Sequence, residues 1–198
     1  ISTIQTALRD PSAALATALT GGAAAPSRIA TAGPDAPGFA TALQGAGVAS
    51  GGGPGARVLA AAESQIGQSE QPPGSNESPV IAQYRTATLG AQPGAPWCGY
   101  FASWAARQAG EPLGAQGQGL GSVAEIQSWA QSTGRAIPNG PGVAPKPGDL
   151  ILFGNEHVGI VRGVLPDGSV QTIEGNYENK VSLNVRPAGE ASGYVSMS

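Results

Sequence analysis

From residue 56 onward the apolar positions follow two different rhythms. Val58, Leu59, Ala62 and Ile66 recur at helical spacing, which predicts a helix from Ala56 to Ile66 with these residues on its buried face. Ser78-Pro79 supplies an N-cap followed by proline at the first helical position, so a short helix through Ile81 and Tyr84 is expected. Trp97 to Ala109 is a third helical run, stopped by Gly110. Ser122-Val123-Ala124-Glu125 has capping-box spacing, and Ile126 and Trp129 then supply a buried face. Beyond residue 146 the signals become those of strands. The turn Pro147-Gly148-Asp149 precedes Leu150-Ile151-Leu152-Phe153, and His157 to Val164 follows with Val158, Ile160 and Val164 as β-branched content. Pro166-Asp167-Gly168 marks a turn, Val170–Glu174 and Val181–Val185 read as further strands, and Tyr194 to Met197 closes the sheet. Helices first and an antiparallel meander second make an α+β pattern, with N-terminal helices packed on an antiparallel β-sheet.

Residues 1–55 lack this patterning. Ala, Gly, Ser, Thr and Pro fill 40 of the 55 positions, and Phe39 is the only aromatic residue among them. Such a stretch buries too little apolar area to offset its ordering entropy. Ile1, Ile4 and Leu8 share helical spacing, but the segment reads as a flexible Ala/Gly/Pro-rich arm, a candidate attachment for a protein partner. Gly51-Gly52-Gly53-Pro54-Gly55 reads as its hinge. The remaining aromatic residues, Tyr84 through Tyr194, anchor a single domain at 56–198.

Charge and cysteine usage narrow the function classes. The net charge is −3 and the pI near 5.1, with no basic run, so no nucleic-acid partner is expected. No apolar stretch is long enough for a membrane span. Residues 12–20 are apolar but follow no positive segment, and are not read as a signal peptide. The lone cysteine excludes an internal disulfide and a cysteine-based zinc site.

That cysteine, Cys98, opens the third helical run, and the only histidine, His157, opens a strand. One thiol and one imidazole are the minimum for a thiolate nucleophile with a general base. Unpaired N–H groups at a helix start favour a thiolate and the oxyanion formed by its attack. Gly99 is expected to leave the nucleophile's flank open. Alone, each residue has a plainer reading, Cys98 as a small buried hydrophobe and His157 as a hairpin residue without a task. If the hairpin turns near Asp167, His157 lies across from residues 174–177, so Glu174 and Asn176 are both partners for the imidazole. A bulge at Gly168 would shift the register, so the choice between them stays open.

Four segments taken in order carry a resemblance: Gly94-Ala95-Pro96-Trp97-Cys98-Gly99-Tyr100-Phe101-Ala102-Ser103-Trp104, Pro147-Gly148-Asp149-Leu150-Ile151-Leu152-Phe153, His157-Val158-Gly159-Ile160-Val161 and Ile173-Glu174-Gly175-Asn176. Over residues 58–187 the chain resembles the CHAP family, cysteine- and histidine-dependent amidohydrolases and peptidases of papain-like α+β fold. The resemblance implies Cys98 as nucleophile, His157 as base, Glu174 as the group that orients the ring, and Asn176 as an assistant. It implies peptidoglycan as partner and substrate, cleaved at a stem-peptide or muramoyl-alanine bond through a thioester. An extracellular or cell-wall location follows from that substrate. The alternatives are a non-catalytic cell-wall-binding or assembly module on the same fold, and an acyltransferase with the same thioester chemistry. Some family members bind calcium through acidic residues around the nucleophile, but 86–110 contains no Asp or Glu, so no metal and no cofactor are expected. Gln92 has a spacing that resembles the oxyanion donor of papain-like enzymes. Gly67-Gln68-Ser69-Glu70 and Gly74-Ser75-Asn76 match a segment found in one branch of the family, without an assigned role.

Overall fold

The computed structural model describes residues 52–198. Most of the expected arm, including Ile1, Ile4 and Leu8, lies outside the described residues. Helix α1 spans Pro54–Glu63, α2 Pro79–Arg85, α3 Cys98–Gln108 and α4 Val123–Ser132. Six strands follow: β1 Ala136–Pro138, β2 Leu150–Phe153, β3 His157–Val164, β4 Val170–Tyr177, β5 Lys180–Arg186 and β6 Gly193–Val195. They form one sheet in the order β1-β6-β2-β3-β4-β5, each neighbour antiparallel. The α+β, papain-like expectation holds.

The two expected hinge residues Pro54 and Gly55 belong to α1 instead. Proline opens the helix, and Gly55 is buried where a Cβ would stand 2.7 Å from the Pro147 carbonyl oxygen. The helix also ends earlier than its apolar spacing suggested. Val58 and Ala62 are buried, whereas Ile66 lies past the helix and is 47 % exposed. The chain turns there because the Gly67 N–H bonds the Val181 carbonyl and draws the segment onto β5. In α2 the Ser78 hydroxyl accepts from the Ile81 N–H, and in α4 the Ser122–Glu125 capping box is complete. Trp129 of α4 is only half-buried, with the Arg135 guanidinium over its ring at 5.6 Å. β1 carried no strand signal in the sequence and is supplied by pairing with β6.

Strand alternation divides the apolar residues between the faces of the sheet. Leu150, Leu152, Val158, Ile160, Ile173 and Val195 join α1, α3 and the Tyr84–Trp97–Phe101–Trp104 aromatic cluster in the larger core. Ile151, Val161, Val170 and Tyr194 form a smaller core on the other face. Helix α3 lies directly against β4, since a Cβ on Gly175 would overlap Phe101. That close approach brings the start of α3 to the strands that carry His157 and Glu174.

Candidate active site

Cys98 is the first residue of α3, preceded by Trp97 at the N-cap. Trp97 provides no side-chain cap, so the N–H groups of the first turn meet no capping acceptor. A sulfur or oxygen anion placed there lies at the positive end of an 11-residue helix. Gly99 does not leave the flank open as expected. It is pressed against the Gly121 carbonyl, which a Cβ would overlap. Glycine here permits close packing of the helix start, and access to Cys98 comes from the cleft instead.

His157 and Glu174 lie on adjacent strands, and His157 Nε2 stands 2.8 Å from Glu174 Oε2. The register Ile160↔Ile173 places Gly159 across from Glu174. A Cβ on Gly159 would come within 2.8 Å of Glu174 Cγ. The missing side chain leaves room for Glu174 to lean diagonally to His157, two residues along on the same face. The irregularity in this hairpin falls between Val161 and Gly163, not at Gly168, which occupies the turn with φ 84°.

Glu174 is fully buried and surrounded by donors. Arg186 Nε and Nη2 grip its two oxygens at 2.9 and 2.6 Å, and the Thr172 hydroxyl donates at 2.5 Å. Burial alone would raise this carboxyl, but the hydrogen bonds from Arg186, His157 and Thr172 hold it at about 2. Arg186 is itself enclosed, with Tyr177 and Phe153 ring centroids 4.4 and 5.0 Å from its guanidinium carbon. Phe153 also stacks on the His157 ring.

The imidazole therefore sits between a committed anion and the thiol. Burial lowers its pKa, while hydrogen bonds and charge from Cys98 and Glu174 more than compensate and raise it to about 9. Since Nε2 faces Glu174, Nδ1 is the nitrogen left for the sulfur. The arrangement sets a thiol beside a ring nitrogen whose partner carboxylate favours the protonated imidazole, the pairing that thiol chemistry with a general acid or base requires.

Cys98, His157 and Glu174 thus come together. Asn176 is not joined to them by a side-chain hydrogen bond among the described residues. It is half-buried in left-handed backbone, φ 62°, where the β4–β5 register slips. Gln92 also stands apart: it is exposed, and its side-chain amide donates to the Gly90 carbonyl at 2.9 Å. Sequence reasoning missed Thr172 and Arg186. Thr172 precedes Glu174 by two residues and so shares its strand face, a period-two signal that could have found it. Arg186 had no comparable local cue.

A cleft of about 550 Å³ opens onto Cys98. Ala95, Pro96 and Tyr100 line one side, Gly119 to Val123 another, and Asn155 and Glu156 a third. Its charged lining residues are Glu125 and Glu156. Among the described residues no group of three or more His, Cys, Asp or Glu side chains is placed to hold a metal ion. No described helix is long and apolar enough to cross a membrane.

The family model for the CHAP domain matches residues 90–176, a narrower span than the 58–187 over which the motifs resemble the family. It includes Cys98, His157, Glu174 and Asn176. The family is in general one of peptidoglycan amidases and peptidases. No curated protein and no solved structure matches the chain.

Proposed function

Residues 90–176 form a CHAP domain, and on that premise we propose that the protein is a cysteine hydrolase of amide bonds in bacterial peptidoglycan. The observation that carries this reading is the meeting of a thiol at an uncapped helix N-terminus with an imidazole held by a buried, ionised carboxylate. The Cys98 thiolate attacks the amide carbonyl carbon. The resulting oxyanion is stabilised by N–H groups at the start of α3. The His157 imidazolium gives its proton to the departing amine as the C–N bond breaks, leaving a thioester on Cys98. Neutral His157 then takes a proton from water while the water oxygen attacks the thioester. Loss of the acid product restores the thiolate and imidazolium. Glu174 keeps Nδ1 aimed at the sulfur and stabilises the protonated ring throughout. Work on peptidoglycan requires the protein to act outside the membrane.

The test is incubation with purified peptidoglycan and identification of released fragments by mass spectrometry. Stem peptides with a free alanine N-terminus would indicate cleavage of the muramoyl-alanine bond, and stems cut internally would indicate endopeptidase action. Cys98→Ala should abolish release while keeping the native circular dichroism spectrum. Iodoacetamide should inactivate the protein in step with labelling of Cys98. Full release by Cys98→Ala would reject the mechanism, and no release by the intact protein would favour a wall-binding module.

A further inference from the structure

The Gly67-Gln68-Ser69-Glu70 and Gly74-Ser75-Asn76 segments have no part in the chemistry above, yet they converge on the chain that enters the nucleophile. Glu70 is 2 % exposed, and its Oε1 accepts from the indole Nε1–H of fully buried Trp97 at 2.9 Å. Trp97 is the N-cap of α3 and the residue immediately before Cys98. Asn76 donates to the Gly94 carbonyl at 3.1 Å, and Glu77 accepts from the Gly94 N–H. Buried Arg85 ties the Gln92, Ala95 and Asn76 carbonyls together. Residues 92–97 are thus clamped at Gln92, Gly94, Ala95 and Trp97.

The other end of this strap is fixed to the sheet. Gly67 N–H bonds Val181 O, Val181 N–H bonds Gln68 O, Ser69 bridges Lys180, and Glu70 N–H bonds Asn179 O at 2.9 Å. These partners belong to the hairpin of β4 and β5 that carries Glu174 and Arg186. Glu70 is the point at which the strap, anchored by backbone to the carboxylate's hairpin, takes hold of the nucleophile's neighbour by side chain. Its second oxygen, Oε2, is buried without a hydrogen-bond partner. An idle buried carboxylate oxygen carries a desolvation cost, so the bond to Trp97 is a poor source of net stability and a good source of direction.

We propose that Glu70 is a positioning residue: through Trp97 it sets the Cys98 sulfur and the Cys98 N–H relative to the His157–Glu174 pair. The proposal rests on Cys98 being the nucleophile. It acts on the acylation step, because the Cys98 N–H belongs to the uncapped first turn to which the oxyanion is assigned. Errors of this kind in geometry lower turnover rather than affinity.

Three variants test it in the full chain, each assayed well below its melting temperature and with a native circular dichroism spectrum. Glu70→Ala should lower kcat by roughly 10- to 100-fold with KM unchanged. Its Cys98 should also need a higher pH for rapid alkylation by iodoacetamide. Glu70→Gln keeps an oxygen acceptor and should retain most of kcat and the alkylation profile. Trp97→Phe removes the donor, should reproduce the Glu70→Ala loss, and carries the test if Glu70→Ala does not fold. Wild-type turnover in Glu70→Ala or Trp97→Phe would overturn the proposal, as would equal losses in Glu70→Gln and Glu70→Ala. Hydrolysis by Cys98→Ala would instead reject the nucleophile, and the alkylation profiles would still decide whether Glu70 positions the thiol.

Discussion

Glu174 and Glu70 are two buried carboxylates, one bonded to His157 and the other to Trp97, at 0 % and 2 % exposure. Glu174 is met by Arg186, Thr172 and His157. Glu70 is met by one indole N–H and, among the described residues, by no cation. Burying a carboxylate costs free energy that only donors and opposite charge return. Glu174 has both, so it remains an anion and its charge acts on the imidazole. Glu70 has a single neutral donor, so its contribution is directional. Glu174 manages charge at the imidazole, and Glu70 manages geometry at the residue before Cys98.

The largest expected effect tests the charge at the imidazole. Glu174→Gln should lower kcat/KM by roughly 10²- to 10⁴-fold. His157 is raised to about 9 mainly against its own burial, with Glu174 as one of the supports. Removing that negative charge while Arg186 stays lowers the imidazolium pKa, so the alkaline limb of the pH–rate profile should move to lower pH. The limb reports the coupled Cys98–His157 pair rather than either residue. The raised imidazole also contributes stability that is full below pH 6.5 and lost as pH rises through about 9. An unmoved limb would place the charge function elsewhere.

A smaller effect is expected from Arg186→Gln. The Glu174 carboxyl sits at about 2, so the stability it contributes is present above its ordinary 4.5 and lost as pH falls toward 2. Without the guanidinium its pKa rises, and acid unfolding followed by circular dichroism should begin roughly one to three pH units higher. Turnover at neutral pH should fall less than in Glu174→Gln, because the carboxylate is still ionised there. Acid unfolding unchanged from the wild type would mean that Thr172 and His157 suffice to hold the charge.

The smallest effect is expected from Asn176→Ala. Its backbone, φ 62°, is one that alanine adopts at a cost of about 1–2 kcal/mol, readable as a lower melting temperature. The alkaline limb should stay in place, since no side-chain bond joins Asn176 to the ring. If Asn176→Ala moves the limb and Glu174→Gln does not, the two roles are reversed.

Local signals carried much of the fold. Caps at Ser78 and Ser122, the stop at Gly110 and the turn at Asp167 are interactions within a few residues, and the structure shows them where the sequence places them. Cys98 at a helix start was legible for the same reason. β1 was not, because a three-residue strand has too little pattern of its own and exists through its partner β6. Ile66 followed the helical period yet fell outside α1, since the pull of Val181 on Gly67 outweighed propensity.

The groups on hand can be read along the chain: one thiol, one imidazole, two neighbouring hydrogen-bonding side chains at 174 and 176, and the order of helices before strands. How they meet is a matter of the folded chain. The absence of a side chain at Gly159 directs Glu174 rather than Asn176 to His157, Arg186 arrives from the next strand to keep that carboxylate charged, and Glu70 reaches Trp97 across 27 residues. Periodicity and capping are local and survive in the sequence, whereas register, close approach and the pairing of buried charges depend on distances that exist only after the chain has folded.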